Sequence, residues 1–182
     1  MALEFTTSCL QDSLDLFRFY KKLGEKAMAQ LSDQQLYAVL DPEMNSVAVM
    51  VKHMAGNMRS RWTEFPLVDG ESPTRNRDSE FVEPPASRTE LMALWDDGWQ
   101  RVFAALESLT EADLSRQVTI RGEVHSITQA LHRQLAHYAY HVGQIVFLAK
   151  HLRTADWQSL SIPRRGSAEF NRRVGEGKAS QR

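Results

Sequence analysis

The stretch from Ser126 to Arg153 contains no proline and repeats apolar residues at helical spacing along its length. Leu131, Leu135, Tyr138, Val142 and Ile145 recur at intervals of three and four, the pattern of a helix with one side to bury. Ser126 with Gln129 three residues on forms a capping box that starts it. At 1.5 Å per residue such a helix is ~42 Å long. A rod of that length with one apolar side needs other rods to cover it, so this segment alone pushes the chain toward a helical fold.

Three more segments supply partners. Residues 4–31 place Phe5, Cys9, Leu10, Leu14, Phe17, Tyr20, Leu23, Ala27 and Leu31 at spacings of three and four, with Gly24 as a weak point. Asp41-Pro42 breaks the chain direction. A second helix starts at Asn45 or Ser46, either a good N-cap, and carries Val47, Met50, Met54, Met58, Arg61 and Trp62. A third starts at Ser87 or Thr89, with Glu90 three residues after Ser87, and carries an apolar stripe from Leu91 to Leu109. Residues 110–114 read as one extra helical turn, and 118–126 alternate as a short extended stretch or hairpin turning at Arg121-Gly122. No set of strands could build a larger sheet. The expectation is an all-α four-helix bundle forming one domain over residues 1–171, with a flexible tail at 172–182. The connection at 65–87 holds four prolines, a glycine and many charges; its length and mixed character predict an ordered loop packed across a bundle end.

Composition excludes several functions. The formal net charge of −1 creates no field favouring nucleic acid or an anionic membrane. Arg164, Arg165, Arg172 and Arg173 near the C-terminus have no aromatic interleaving to suggest nucleic-acid binding. No apolar run approaches the ~20 residues of a membrane span. Cys9 is the single cysteine and forms no internal disulfide, which together with the lack of a signal-peptide pattern predicts a cytoplasmic protein.

The chemistry sits in HYAYHVGQ, where His137 and His141 lie four apart on one helix face with Gln134 and Gln144. This polar stripe runs along a helix otherwise built for burial, and each buried polar group without a partner costs ~1–3 kcal/mol. A metal satisfies such groups; so do hydrogen bonds within a metal-free core, and the spacing alone does not choose. The residue after His137 is Tyr138 rather than Glu, so no metzincin-type signature is present. His53, in VKHMAGN midway along the second helix, is the third candidate, with Asn57 four residues on sharing its face. Mid-height positions on two helices meet in a bundle core. Three imidazoles leave a coordination position open, as catalytic sites do. His125, His132 and His151 fall outside this pattern, and Cys9 reads as a small buried apolar group. Arg75, Arg77 and Asp78 in the long loop either pin it through salt bridges or hold an anionic substrate. The tryptophans serve as core or interface anchors, and Trp95 and Trp99 are the candidates for a subunit interface.

The segments VKHMAGNMRSRW, DGESPTRNRDSEF, IRGEVHSITQALHRQLAHYAYHVGQIVFLAK and LSIPRRGSAEFN resemble an uncharacterised bacterial group within the DinB-like (YfiT-like) superfamily, over about residues 3–171. The superfamily pattern is a histidine on the second helix plus H-x-x-x-H on the fourth, matched here by His53, His137 and His141. The resemblance implies an up-down-down-up bundle, a homodimer, and a divalent metal (zinc, nickel, iron or manganese) held by those three histidines. It also implies a small-molecule substrate, and a low-molecular-weight thiol as co-substrate in a thiol-S-transferase-like reaction or water in a hydrolase-like one. Asn57, Gln134 and Gln144 would then support the metal or touch substrate. The competing readings are a non-catalytic stress-response or ligand-binding protein with a structural metal, and a metal-free bundle.

Overall fold

A computed structural model describes residues 8–180. Phe5 and the rest of the first helical turn expected at residues 4–7 lie outside the described residues, as do tail residues 181 and 182. The chain is mostly helical. In order come α1 (Cys9–Met28), α2 (Asp33–Leu36), α3 (Val47–Trp62), α4 (Arg88–Glu107), a two-stranded hairpin of β1 (Gln117–Ile120) and β2 (Glu123–Ser126), α5 (Ile127–Arg153) and α6 (Ser167–Gly175). Single 3-10 turns cover Asp78–Phe81, Glu111–Ser115 and Thr154–Asp156.

Local chemistry sets the helix starts. The hydroxyls of Ser8, Ser46, Ser87 and Ser126 each accept the backbone N–H three residues on, capping α1, α3, α4 and α5. The periodicity expected to continue to residue 31 stops at Met28. A capping box of Ser32 and Gln35 restarts the chain as the separate one-turn α2.

One core joins the four long helices. Phe17 of α1, Trp99 of α4 and Tyr138 of α5 are fully buried. Their rings meet edge-on or tilted, with centroids 5.5–6.3 Å apart, a favoured aromatic arrangement. Trp95 packs edge-on against Trp99 at 5.5 Å. Both tryptophans point inward and are buried by their own chain, which corrects the expectation that they present an interface. The side of α4 that carries them is the apolar stripe, and α1, α3 and α5 already cover it.

α3 lies along α4 and α1 along α5, whereas α3 and α5 meet over a shorter length. The long loop and the hairpin flank the opening between α3 and α5. The hairpin turns at Arg121 (φ 56°) and Gly122 (φ 76°), the pair of left-handed positions that a two-residue turn requires. The Asp69 carboxylate accepts the backbone N–H groups of Arg121 and Gly122 at 2.8 and 2.7 Å, and Gly70 N–H donates to Thr119 C=O at 2.9 Å. Lys52 Nζ holds the far side of the loop through the Ser79 and Glu83 carbonyls, both at 2.7 Å. The loop is therefore ordered and tied at both ends. α6 crosses the expected boundary at residue 172 and buries none of its residues. No helix among the described residues is long and apolar enough to cross a membrane.

Candidate metal centre

α3 displays His53, Asn57 and Arg61 at intervals of four, one above the other on the face turned to the opening. α5 does the same with Arg133, His137 and His141. The structure brings His53, His137 and His141 together: ring centroids lie 4.7–5.5 Å apart. One ring nitrogen from each histidine lies within 4.8 Å of the other two. His137 Nε2 and His141 Nε2 face each other at 3.1 Å.

The outward nitrogens are held separately. His53 Nδ1 meets Glu80 Oε2 at 2.8 Å, and His141 Nδ1 meets Gln144 Oε1 at 2.9 Å. A carboxylate or amide oxygen accepts, so each Nδ1 carries the proton and each Nε2 keeps its lone pair turned inward. Imidazoles oriented in this way by an outer carboxylate are typical of metal ligands. Two nitrogens on one tetrahedral zinc lie about 3.4 Å apart, given bonds of ~2.0–2.1 Å, close to the 3.1 Å between the His137 and His141 nitrogens. The three histidines could hold a metal ion, and no carboxylate or thiol among the described residues completes the cluster. Cys9 packs against the core on α1, away from it.

Electrostatics favours the neutral form of the two α5 rings, His137 and His141. Burial pushes the His137 pKa down to about 3, helped by His141 and His53 and by the charges of Arg75 and Arg61. Burial and His53 also lower His141. Neutral imidazole is the form that binds a metal.

Glu80, which the sequence reading passed over, anchors the site. Burial opposes its charge, but hydrogen bonds from His53 and Arg75 outweigh this and hold its carboxyl below the usual range. Arg75 grips it with one edge of the guanidinium: Nε donates to Oε1 at 2.8 Å and Nη2 to Oε2 at 2.9 Å. Arg75 Nη1 reaches Glu71 at 3.2 Å, and Glu71 binds Arg121 of the hairpin at 3.2 Å. The loop-pinning reading of the Arg75 region thus holds for Arg75. Arg77 lies over the Phe81 ring at 4.9 Å and Asp78 opens the 3-10 turn. Gly56 makes the arrangement possible, since a Cβ there would lie 2.3 Å from Glu80 Oε1. Nothing in the spacing linked Glu80 to His53, 27 residues earlier; the one local hint is the half-buried Gly56 on the helix that carries His53.

The supporting candidates separate. Gln144 orients His141 directly. Asn57 Oδ1 accepts from the Tyr138 hydroxyl at 3.0 Å, and that hydroxyl accepts from Trp62 Nε1 at 2.8 Å, so Asn57 is tied to the aromatic core. Gln134 is buried, lines the cavity and has its Oε1 without a partner. His137 Nδ1 likewise has none. His125 bonds the Glu123 carbonyl on the hairpin, and His132 and His151 are exposed.

A search of curated proteins returned no match to the chain. A family model described as "Protein of unknown function (DUF1572)" matches residues 4–166, nearly the whole chain, and the protein belongs to that family.

Proposed function

We propose that His53, His137 and His141 are the ligands of a divalent metal, and that the protein is a metal-dependent enzyme of the transferase or hydrolase type. Zinc, nickel, iron and manganese all suit such a donor set. The observation that carries this reading is the inward convergence of three imidazoles, two of them oriented by Glu80 and Gln144. The resemblance to the DinB-like superfamily, with its up-down-down-up bundle, supports the same ligands.

A metal bound there would supply Lewis acidity, lowering the pKa of a coordinated water or thiol. The chain's own residues do the rest. Glu80 fixes the His53 ring and makes it a stronger donor. Gln144 fixes the His141 tautomer. The loop, held by Arg75 and Asp69, shields one side of the histidines from water. The cavity over the cluster measures about 580 Å³, within the usual range for a small-molecule site.

One contact favours a second reading. The 3.1 Å approach of the His137 and His141 Nε2 atoms also fits a plain hydrogen bond in a metal-free protein. Metal content decides between them. Untagged protein purified without chelator should carry near-stoichiometric metal by inductively coupled plasma mass spectrometry, and His137→Ala should lose it while staying folded. Absence of metal after reconstitution with zinc, nickel and manganese overturns the proposal. Metal that is present but whose loss only lowers stability, with no thiol transfer or hydrolysis detected, favours the structural role.

A further inference from the structure

The lining of the cavity over the histidines is strongly cationic. Arg61, Arg75, Arg77, Arg121 and Arg133 line it, and no Asp or Glu does. Arg75 and Arg121 already have carboxylate partners in Glu80 and Glu71. Arg133 is exposed and has no carboxylate partner among the described residues.

Arg61 is the anomaly. Its side chain is 4% exposed, and a guanidinium stays charged wherever it sits. Its Nε and Nη1 have no hydrogen-bond partner among the described residues. The nearest carboxylate oxygen, Glu71 Oε2, is 3.7 Å from Nη2, too far for a hydrogen bond. That oxygen already accepts from Arg75, and the other oxygen of Glu71 accepts from Arg121. Glu71 and Glu80 are two carboxylates among three arginines, which leaves one positive charge uncompensated. Burial of a charge without hydrogen-bond partners is costly, and Arg61 lies beside the histidine cavity with its Nε and Nη1 unused.

Position along the helices completes the case. Arg61 is eight residues from His53, a rise of ~12 Å, and Arg133 is four residues from His137, a rise of ~6 Å. An anionic group beside these two arginines leaves the body of a short molecule over the histidines.

We propose that Arg61 and Arg133 form the binding site for an oxyanion, a carboxylate or phosphate group carried by the small molecule that reaches the histidine cluster. The oxyanion site stands on the arginines alone; its use by a substrate rests on the metal-enzyme reading. Arginine suits the role because its planar fork pairs with either group through two parallel hydrogen bonds.

The test is isothermal titration calorimetry in low-salt Tris chloride, with inorganic phosphate and with malonate as probes, on chelator-treated and on zinc-loaded protein. At least one probe should bind saturably at one site. Arg61→Met should weaken it at least tenfold and Arg133→Ala several-fold, while Arg18→Ala on α1 leaves it unchanged. The preferred probe tells a phosphate site from a carboxylate site. Because the chelator-treated arm contains no metal, loss of the metal reading leaves this result legible. Failure of both probes in both forms overturns the proposal. So does binding that neither arginine variant weakens, including binding confined to zinc-loaded protein. Should Arg61→Met not fold, Arg61→Lys takes its place: the charge without the fork should still bind more weakly.

Discussion

The two walls of the histidine cavity are built from similar residues and handled in opposite ways. On the loop wall, Arg75 is 5% exposed, and Glu80, Glu71, Asp69 and Arg121 join it in a connected network that ends on His53 Nδ1. On the helix wall, Arg61 is as deeply buried, yet Arg61 Nε and Nη1, Gln134 Oε1 and His137 Nδ1 have no partner. Burial is equal and satisfaction is not. The loop wall is what a structural network looks like, because each buried charge meets an opposite one. The helix wall leaves hydrogen-bonding atoms unmatched beside the cavity.

The sharpest way to break this comparison is to remove one arginine from each wall. Arg75→Met leaves the Glu80 charge buried with only His53 beside it, and we expect a loss of about 3–5 kcal/mol by chemical denaturation. A loss below ~1 kcal/mol would mean the loop network is ornamental. Gly56→Ala attacks the same wall from α3. Its Cβ would overlap Glu80 Oε1, and overpacking of this kind costs about 1–3 kcal/mol. Metal affinity should fall with it by roughly tenfold or more, since an outer partner of a ligand histidine is displaced.

Acid separates the walls in metal-free protein. The His137 pKa is held at about 3 in the fold against 6.5 when free. The unfolded chain therefore takes up the proton first, and stability present above pH 6.5 is lost as pH falls toward 3. On the loop wall Asp69 is held at about 2 through backbone N–H groups, chiefly that of Gly122, and Glu71 and Glu80 also lie below the usual range. Their contribution is present above the unfolded carboxylate pKa values near 4 and is lost only below them. The melting temperature should thus decline in two stages. His137→Gln should flatten the first, at a slope change of up to about 1.4 kcal/mol per pH unit; an unchanged profile between pH 6.5 and 4.5 would contradict the buried neutral ring. The smallest effect is expected from Arg61→Met. Replacing a buried guanidinium whose ion contact with Glu71 is as long as 3.7 Å with an apolar side chain of similar reach should leave stability unchanged or raise it by up to ~1 kcal/mol. A loss comparable to that of Arg75→Met would erase the difference between the walls.

Much of the frame was legible in the residues. Ser46, Ser87 and Ser126 start their helices as their local sequence requires, because a cap is chemistry within four residues. The Arg121-Gly122 turn was visible for the same reason. The face shared by His137 and His141 follows from helical geometry, and the mid-helix height of His53 made a meeting with them reasonable. The end of α1 was misjudged because apolar spacing continues through Leu31 while the capping box at Ser32 begins a new helix. The inward turn of Trp95 and Trp99 was not decided by periodicity, which marks a stripe without saying what covers it.

The sequence by itself determined the helices, their caps and the hairpin, along with which polar residues share a helix face, since these follow from contacts a few residues apart. Only the tertiary structure decided that Glu80 closes on His53, that Gly56 lets it, and that Arg75 is hydrogen-bonded to carboxylates where Arg61 is not. Those outcomes depend on the path of a long loop and on which side chains reach a shared carboxylate first. Such contacts join residues far apart in the chain, and no local period records them.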